Sequence, residues 1–74
     1  PFKLTNRELE VLRCIAKGIS EKDISGTLSV KKGTVKKWVE SILDKLGLKH
    51  EDKHKMVAEA ARQGILLPSE VANG

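Results

Sequence analysis

Three runs of apolar residues at helical spacing, each stopped by a glycine, divide most of this 74-residue chain and leave no stretch that reads as a strand. The first run is LTNRELEVLRCIAKG. Thr5 and Glu8 stand in capping-box relation, the hydroxyl placed to accept the Glu8 N–H and the carboxylate the Thr5 N–H. Leu4 and Leu9 flank that cap as a staple pair. Leu9, Leu12, Ile15 and Ala16 form an apolar stripe that ends at Gly18. The same pattern then repeats, with Ser20 and Asp23 as cap and third position, Ile19 and Ile24 as the staple, and Ile24 and Leu28 inward. After the tight SVKKG turn, Val35, Trp38, Val39, Ile42, Leu43 and Leu46 mark the inward side of a third helix. Gly47 closes it in a left-handed conformation, with Leu48 packing beyond the cap. KHEDK reads as a polar loop, and a last helix buries Met56, Val57, Ala60 and Ala61 before Gly64. The expected fold is all-α, a four-helix bundle with helices over 6–17, 21–28, 32–46 and 53–63. Residues 1–67 form one domain, Ile65 to Leu67 pack back on it, and 68–74 form a flexible tail.

Composition narrows the class. With 39% hydrophobic and 32% charged residues the chain is globular, and no apolar run approaches the roughly 18 to 20 residues that cross a bilayer. The single cysteine, Cys14, has no disulfide partner, which together with the absence of a signal-peptide pattern fits the cytoplasm. Beginning at Pro1, the chain reads as a piece of a longer protein. Cys14 reads as a packed thiol. His50 and His54 lie beside Glu51 and Asp52, yet a helix starting near Asp52 leaves His50 outside it, so they read as solvated loop residues and no metal is expected. No glycine-rich phosphate loop, Ser/His/Asp set or pair of buried carboxylates is present. Neither a cofactor nor an enzyme is expected.

Charge is where the sequence speaks most directly. Between Lys31 and Lys55, eight lysines stand against four carboxylates, and this segment carries the whole net charge of +4. A localised positive surface is the footprint of a polyanion partner. Two short helices joined by a tight turn, the second amphipathic and basic, form a helix-turn-helix. Its outward side presents Lys32, Lys36 and Glu40, flanked by Gly33 and Lys37. Lysines at the helix start lie next to free N–H groups, and both suit phosphate oxygens. Gly33 lowers helix propensity by roughly 1 kcal/mol against alanine. A helix that approaches another surface closely has reason to accept that.

Several motifs agree in order and spacing with one family: LTNRELEVL (4–12), AKGIS (16–20), KDI (22–24), TVKKW (34–38), KLGL (45–48) and VAEAARQGIL (57–66). Over roughly residues 4 to 66 the chain resembles the LuxR-type (NarL/FixJ) DNA-binding domain of bacterial response regulators and quorum-sensing regulators. The resemblance implies transcription regulation by sequence-specific binding to double-stranded DNA, with helix 32–46 in the major groove. By the same resemblance, Thr34, Lys36 and Lys37 fall on positions that contact phosphates or bases, and Glu40 faces the groove. Together with the residue pattern, Lys36, Lys37, Glu40 and Gly33 are expected to face bases, and Lys31, Lys32, Thr34, Lys45, Ser20 and Lys22 phosphates. A carboxylate at Glu40 accepts from a cytosine amino group. The family pairs as a homodimer through its last helix over two half-sites, here Lys55, Met56, Glu59, Ala60 and Gln63. It also implies an N-terminal receiver domain of a two-component system.

The chain departs from the family in three places. Lys31 replaces the usual serine or threonine cap of the recognition helix, and Trp38 the usual histidine or tyrosine. The KHEDK loop is about two residues longer, placing Lys53 where the family has an arginine that pairs with the glutamate at Glu8. Trp38 either fills the core or offers its indole N–H to a phosphate. Met56, Val57, Ala60 and Ala61 either belong to the core or form a dimer contact rimmed by Lys55, Glu59 and Gln63. Two other functions share the basic face: a module that binds an acidic protein, and a promoter-recognition region of an RNA polymerase subunit.

Overall fold

In the computed structural model, which describes residues 4–71, the first helix starts where its cap does. The Thr5 hydroxyl accepts the Glu8 N–H at 3.2 Å and the Glu8 carboxylate accepts the Thr5 N–H at 2.9 Å. Four α-helices follow: α1 Asn6–Ala16, α2 Glu21–Leu28, α3 Lys32–Leu46 and α4 Met56–Arg62. Lys17 closes α1 as its C-cap, one residue earlier than its spacing predicts. Ser20 caps α2 by accepting the Asp23 N–H at 3.2 Å.

The turn between α2 and α3 is a left-handed closure. Ser29 takes φ 56° and ψ 44°, and the Val30 N–H donates to the Ser25 carbonyl at 3.0 Å. A side chain in this region strains the backbone by roughly 1 kcal/mol, so the short link comes with a local penalty. The far end of α3 closes the same way without that strain, because Gly47 occupies the left-handed position.

The chain enters its last helix differently from the expected 53–63 helix. His50–Lys55, which includes most of the KHEDK segment, winds into a 3-10 turn, and α4 begins only at Met56. Asp52 leaves the helical path at φ −97° and ψ 20°, and none of residues 50–55 is buried. Without an apolar face, this segment gains nothing from a regular α-helix; Met56 is the first residue that does.

Helix α3 is central and contributes Val35, Val39, Ile42, Leu43 and Leu46 to the core. Val11, Leu12 and Ala16 of α1, Ile24 of α2, and Met56 and Ala60 of α4 pack around it, with Leu66 returning onto them. Ile15, Leu28, Trp38, Val57, Ala61 and Cys14 pack at the margin, half-buried. On α1 the inward stripe is rotated from expectation: Val11 is fully buried, whereas Leu9 is only half-buried. The rotation brings Glu8, 4% exposed, onto the α3 side.

Order continues past Leu67, where the tail was expected to start. Pro68–Glu70 forms a 3-10 turn, with Glu70 accepting from the Leu67 N–H at 2.9 Å and paired with Arg13 of α1. Residues 72–74 of that expected tail lie outside the described residues.

Candidate nucleic-acid interface

The residues of α3 that enter the core leave one side of the helix free. Gly33, Lys36, Lys37, Glu40 and Asp44 are all exposed along that side. Lys31 and Lys32 stand exposed at its start. Among the described residues, none of Lys31, Lys32, Lys36 and Lys37 takes part in an ion pair. These four cations therefore keep their charge available to something outside the domain.

Gly33 lies open on the same side. A Cβ built at this position meets nothing within 4 Å. Packing inside the domain thus gives no reason for glycine there, as it gives none at Gly26 of α2, and the position is open to a close approach from outside.

The start of α3 is electrostatically distinct from those of α1 and α2. Lys31 is its N-cap residue and makes no side-chain cap, whereas Thr5 and Ser20 supply oxygens to the other two helices. The Lys31 carbonyl accepts from the Thr34 and Val35 N–H groups. The first-turn N–H groups ahead of them point away from the helix body, with the positive end of the helix dipole behind them. Thr34 is half-buried just inside this turn. Ser20 and Lys22 lie at the exposed start of α2, with the Ser20 hydroxyl already occupied as a cap.

Lys45 is placed otherwise than expected. It turns inward, and its Nζ donates to Glu8 Oε1 at 2.7 Å. Ser41 Oγ donates to the second carboxylate oxygen. Burial alone would raise the Glu8 carboxyl, but the hydrogen bonds from Lys45, Ser41 and the Thr5 N–H outweigh it and hold the group at about 2. An ammonium half-buried in that cluster is not free for a phosphate. Lys53, at the family's arginine position, instead pairs with Glu21 at the start of α2.

The flanks of the α3 face are also occupied. On one side the Arg7 guanidinium lies 6.0 Å from the centroid of the Trp38 ring, within cation–π range. Trp38 is thus half-buried against the core with its open face covered by Arg7. On the other side His50 Nε2 lies 3.5 Å from Glu40 Oε2.

Two of the expected dimer contacts lie inside the domain. Met56 and Ala60 are 1% and 0% exposed, packed on α3, and cannot meet a second copy without opening the core. Lys55 and Gln63 are exposed and Glu59 half-buried. Glu59 accepts from Arg62 and Gln63, and Gln63 Nε2 also donates to the Leu46 carbonyl at 3.2 Å.

Residues 3–58 match the family model described as bacterial regulatory proteins, luxR family. The chain belongs to the LuxR family. It is therefore a DNA-binding domain of transcription regulation. DesR of Bacillus subtilis, a transcriptional regulatory protein, is 47% identical over 47 residues, covering 64% of this chain and 24% of DesR. NreC of Staphylococcus aureus, an oxygen regulatory protein, is 43% identical over 67 residues, covering 89% of this chain and 30% of NreC. The chain thus spans a quarter to a third of the length of these relatives. No solved structure gives a significant match. Among the described residues no helix is long and apolar enough to cross a membrane, and no three His, Cys, Asp or Glu side chains converge as a metal site would require.

What sequence reasoning missed was which residues partner Glu8: Ser41 and Lys45 of α3, and not Lys53. The capping role of Glu8 is local and visible, but its hold on α3 depends on two residues more than thirty positions away. The available signal was the i, i+4 spacing of Ser41 and Lys45, which places a hydroxyl and an ammonium on the same flank of α3.

Proposed function

We propose that this LuxR-type domain reads duplex DNA by seating α3 in the major groove. Gly33, Lys36, Lys37 and Glu40 face base edges. Lys31, Lys32 and Thr34, with Ser20 and Lys22 at the start of α2, take phosphates. The observation that carries this reading is the set of four unpaired lysines opposite the core, with Gly33 among them where nothing in the domain asks for it. The domain acts in the cytoplasm as the output module of a longer response regulator whose receiver domain controls it. Two copies occupy two half-sites and meet through the exposed side of α4, at Lys55, Glu59 and Gln63.

The test is an NMR titration of the labelled domain, first with a random duplex and then with candidate promoter fragments, at two salt concentrations. Shifts gathered on Lys31 to Glu40, with a log–log salt slope of about −0.9 per phosphate neutralised, support the reading. Shifts confined to another surface, or a flat salt dependence, would assign the basic face to a protein partner instead.

A further inference from the structure

We infer that His50 is a positioning residue for base readout, restraining the Glu40 carboxylate so that one of its oxygens meets a cytosine amino group. The inference rests on the proposed seating of α3 in the major groove and names the residue that sharpens its specificity.

Glu40 is an unusual side chain to find on a face made for phosphates. It lies one helical turn beyond Lys36 and Lys37, and Asp44 follows it on the same side. The basic side chain beside its carboxylate is neither lysine but His50, with Nε2 3.5 Å from Oε2. Both side chains are about half exposed, at 62% for His50 and 49% for Glu40. The pair stands at the mouth of a cleft between the second half of α3 and the 3-10 turn, where Asp44 and Lys49 are the other charged groups.

The geometry leaves the two carboxylate oxygens unequal. Oε2 faces the imidazole, and Oε1 has no partner among the hydrogen bonds of the described residues. A glutamate side chain alone on a helix surface samples several rotamers and must be ordered on binding. At 3.5 Å the imidazole limits that freedom without locking it. The oxygen left without a partner is acceptor-only. It suits the N4 amino group of cytosine and repels the O4 of thymine, which is also an acceptor. His50 reaches this position because the 3-10 turn opens with it, three residues after α3 closes at Gly47. The segment between the two helices thus returns a side chain to the readout face.

The experiment is a selection of bound sequences from a randomised duplex library, run with the 74-residue chain and with Glu40→Ala, His50→Ala, His50→Gln and Lys37→Ala. The unaltered domain should select cytosine at one position, and Glu40→Ala should erase that preference alone. His50→Ala should reduce the cytosine-over-thymine preference by about fivefold. It should change random-duplex affinity by less than about twofold, since neither half-exposed partner contributes to the core. His50→Gln, which keeps an N–H donor, should recover part of the preference. If His50→Ala leaves the cytosine preference intact, the inference is overturned. If no preference depends on Glu40 while Lys37→Ala alters a different position, it is also overturned, but the seating of α3 stands. If no sequence is enriched by any form, the major-groove reading fails and takes this inference with it.

Discussion

Glu8 and Lys45 meet at 2.7 Å across the contact between α1 and α3, in a carboxylate that also caps α1 and accepts from Ser41. One acidic side chain therefore starts the first helix and fastens it to the inner flank of α3. Because Glu8 is nearly fully buried, each of these partners replaces hydration that the carboxylate has lost.

Replacing Glu8 with glutamine should destabilise the domain by about 2 kcal/mol, because the Lys45 ammonium is left half-buried without its counter-charge. The folded carboxyl sits at about 2, below its ordinary 4.5, so its contribution is complete above pH 4.5 and is lost as pH falls toward 2. Urea denaturation at several pH values should show stability declining through that window and a shallower decline in Glu8→Gln. Some slope remains in the variant, since Arg62 beside Glu59, and the Leu67 N–H and Arg13 at Glu70, hold those carboxyls low as well. An unchanged slope would mean that Glu8 is not held low.

Lys36→Ala and Lys37→Ala should each weaken binding to the preferred sequence by roughly 1 to 3 kcal/mol while affecting random duplex less. Lys31→Ala should weaken binding to all sequences about equally and lower the salt slope by about one phosphate. Lys45→Ala belongs to neither class: its loss should appear in the melting temperature, with DNA affinity preserved once the folded fraction is accounted for. Fluorescence anisotropy at several salt concentrations, alongside thermal melts, separates the three behaviours.

Gly33→Ala should move stability and binding in opposite directions. Nothing in the domain crowds a Cβ at this position, so alanine should raise stability by about 0.5 to 1 kcal/mol. The added methyl group lies on the face applied to the groove and should lower DNA affinity by about tenfold, or roughly 1.4 kcal/mol. If affinity holds or improves, Gly33 is not at a close approach.

Ser29→Gly removes the left-handed strain in the turn before α3. It should stabilise the domain by about 0.5 kcal/mol, the relieved strain being partly offset by the greater freedom of glycine in the unfolded chain. Equilibrium denaturation measures this directly, and DNA affinity should stay within about twofold because Ser29 is exposed and outside the set of residues proposed to face DNA.

The features legible in the sequence were those decided by neighbours three or four residues apart. The Thr5–Glu8 cap, the Ser20 cap, the closure at Gly47 and the inward series from Val35 to Leu46 all lie where local spacing puts them. The start of α4 was not legible, because residues 50–55 are polar with or without a helix and only contact with the core separates the two cases. The rotation of α1 toward Val11 had the same origin. Leu9 and Val11 both fit an apolar stripe, and only the packing against the other helices, which buries Val11 and leaves Leu9 half-buried, separates them. The basic outward side of α3 was readable from its lysines. That Lys45 would turn away from it was not, since a carboxylate 37 positions distant decides that.

The uncapped start of α3 gives the domain an unfinished end. Where α1 and α2 carry an oxygen of their own to close the first turn, α3 meets solvent with Lys31 and bare amides. On the proposed seating of α3, a phosphate oxygen arriving there would do for this helix what the Thr5 and Ser20 hydroxyls do for the other two, so the partner would supply the cap that the chain leaves out.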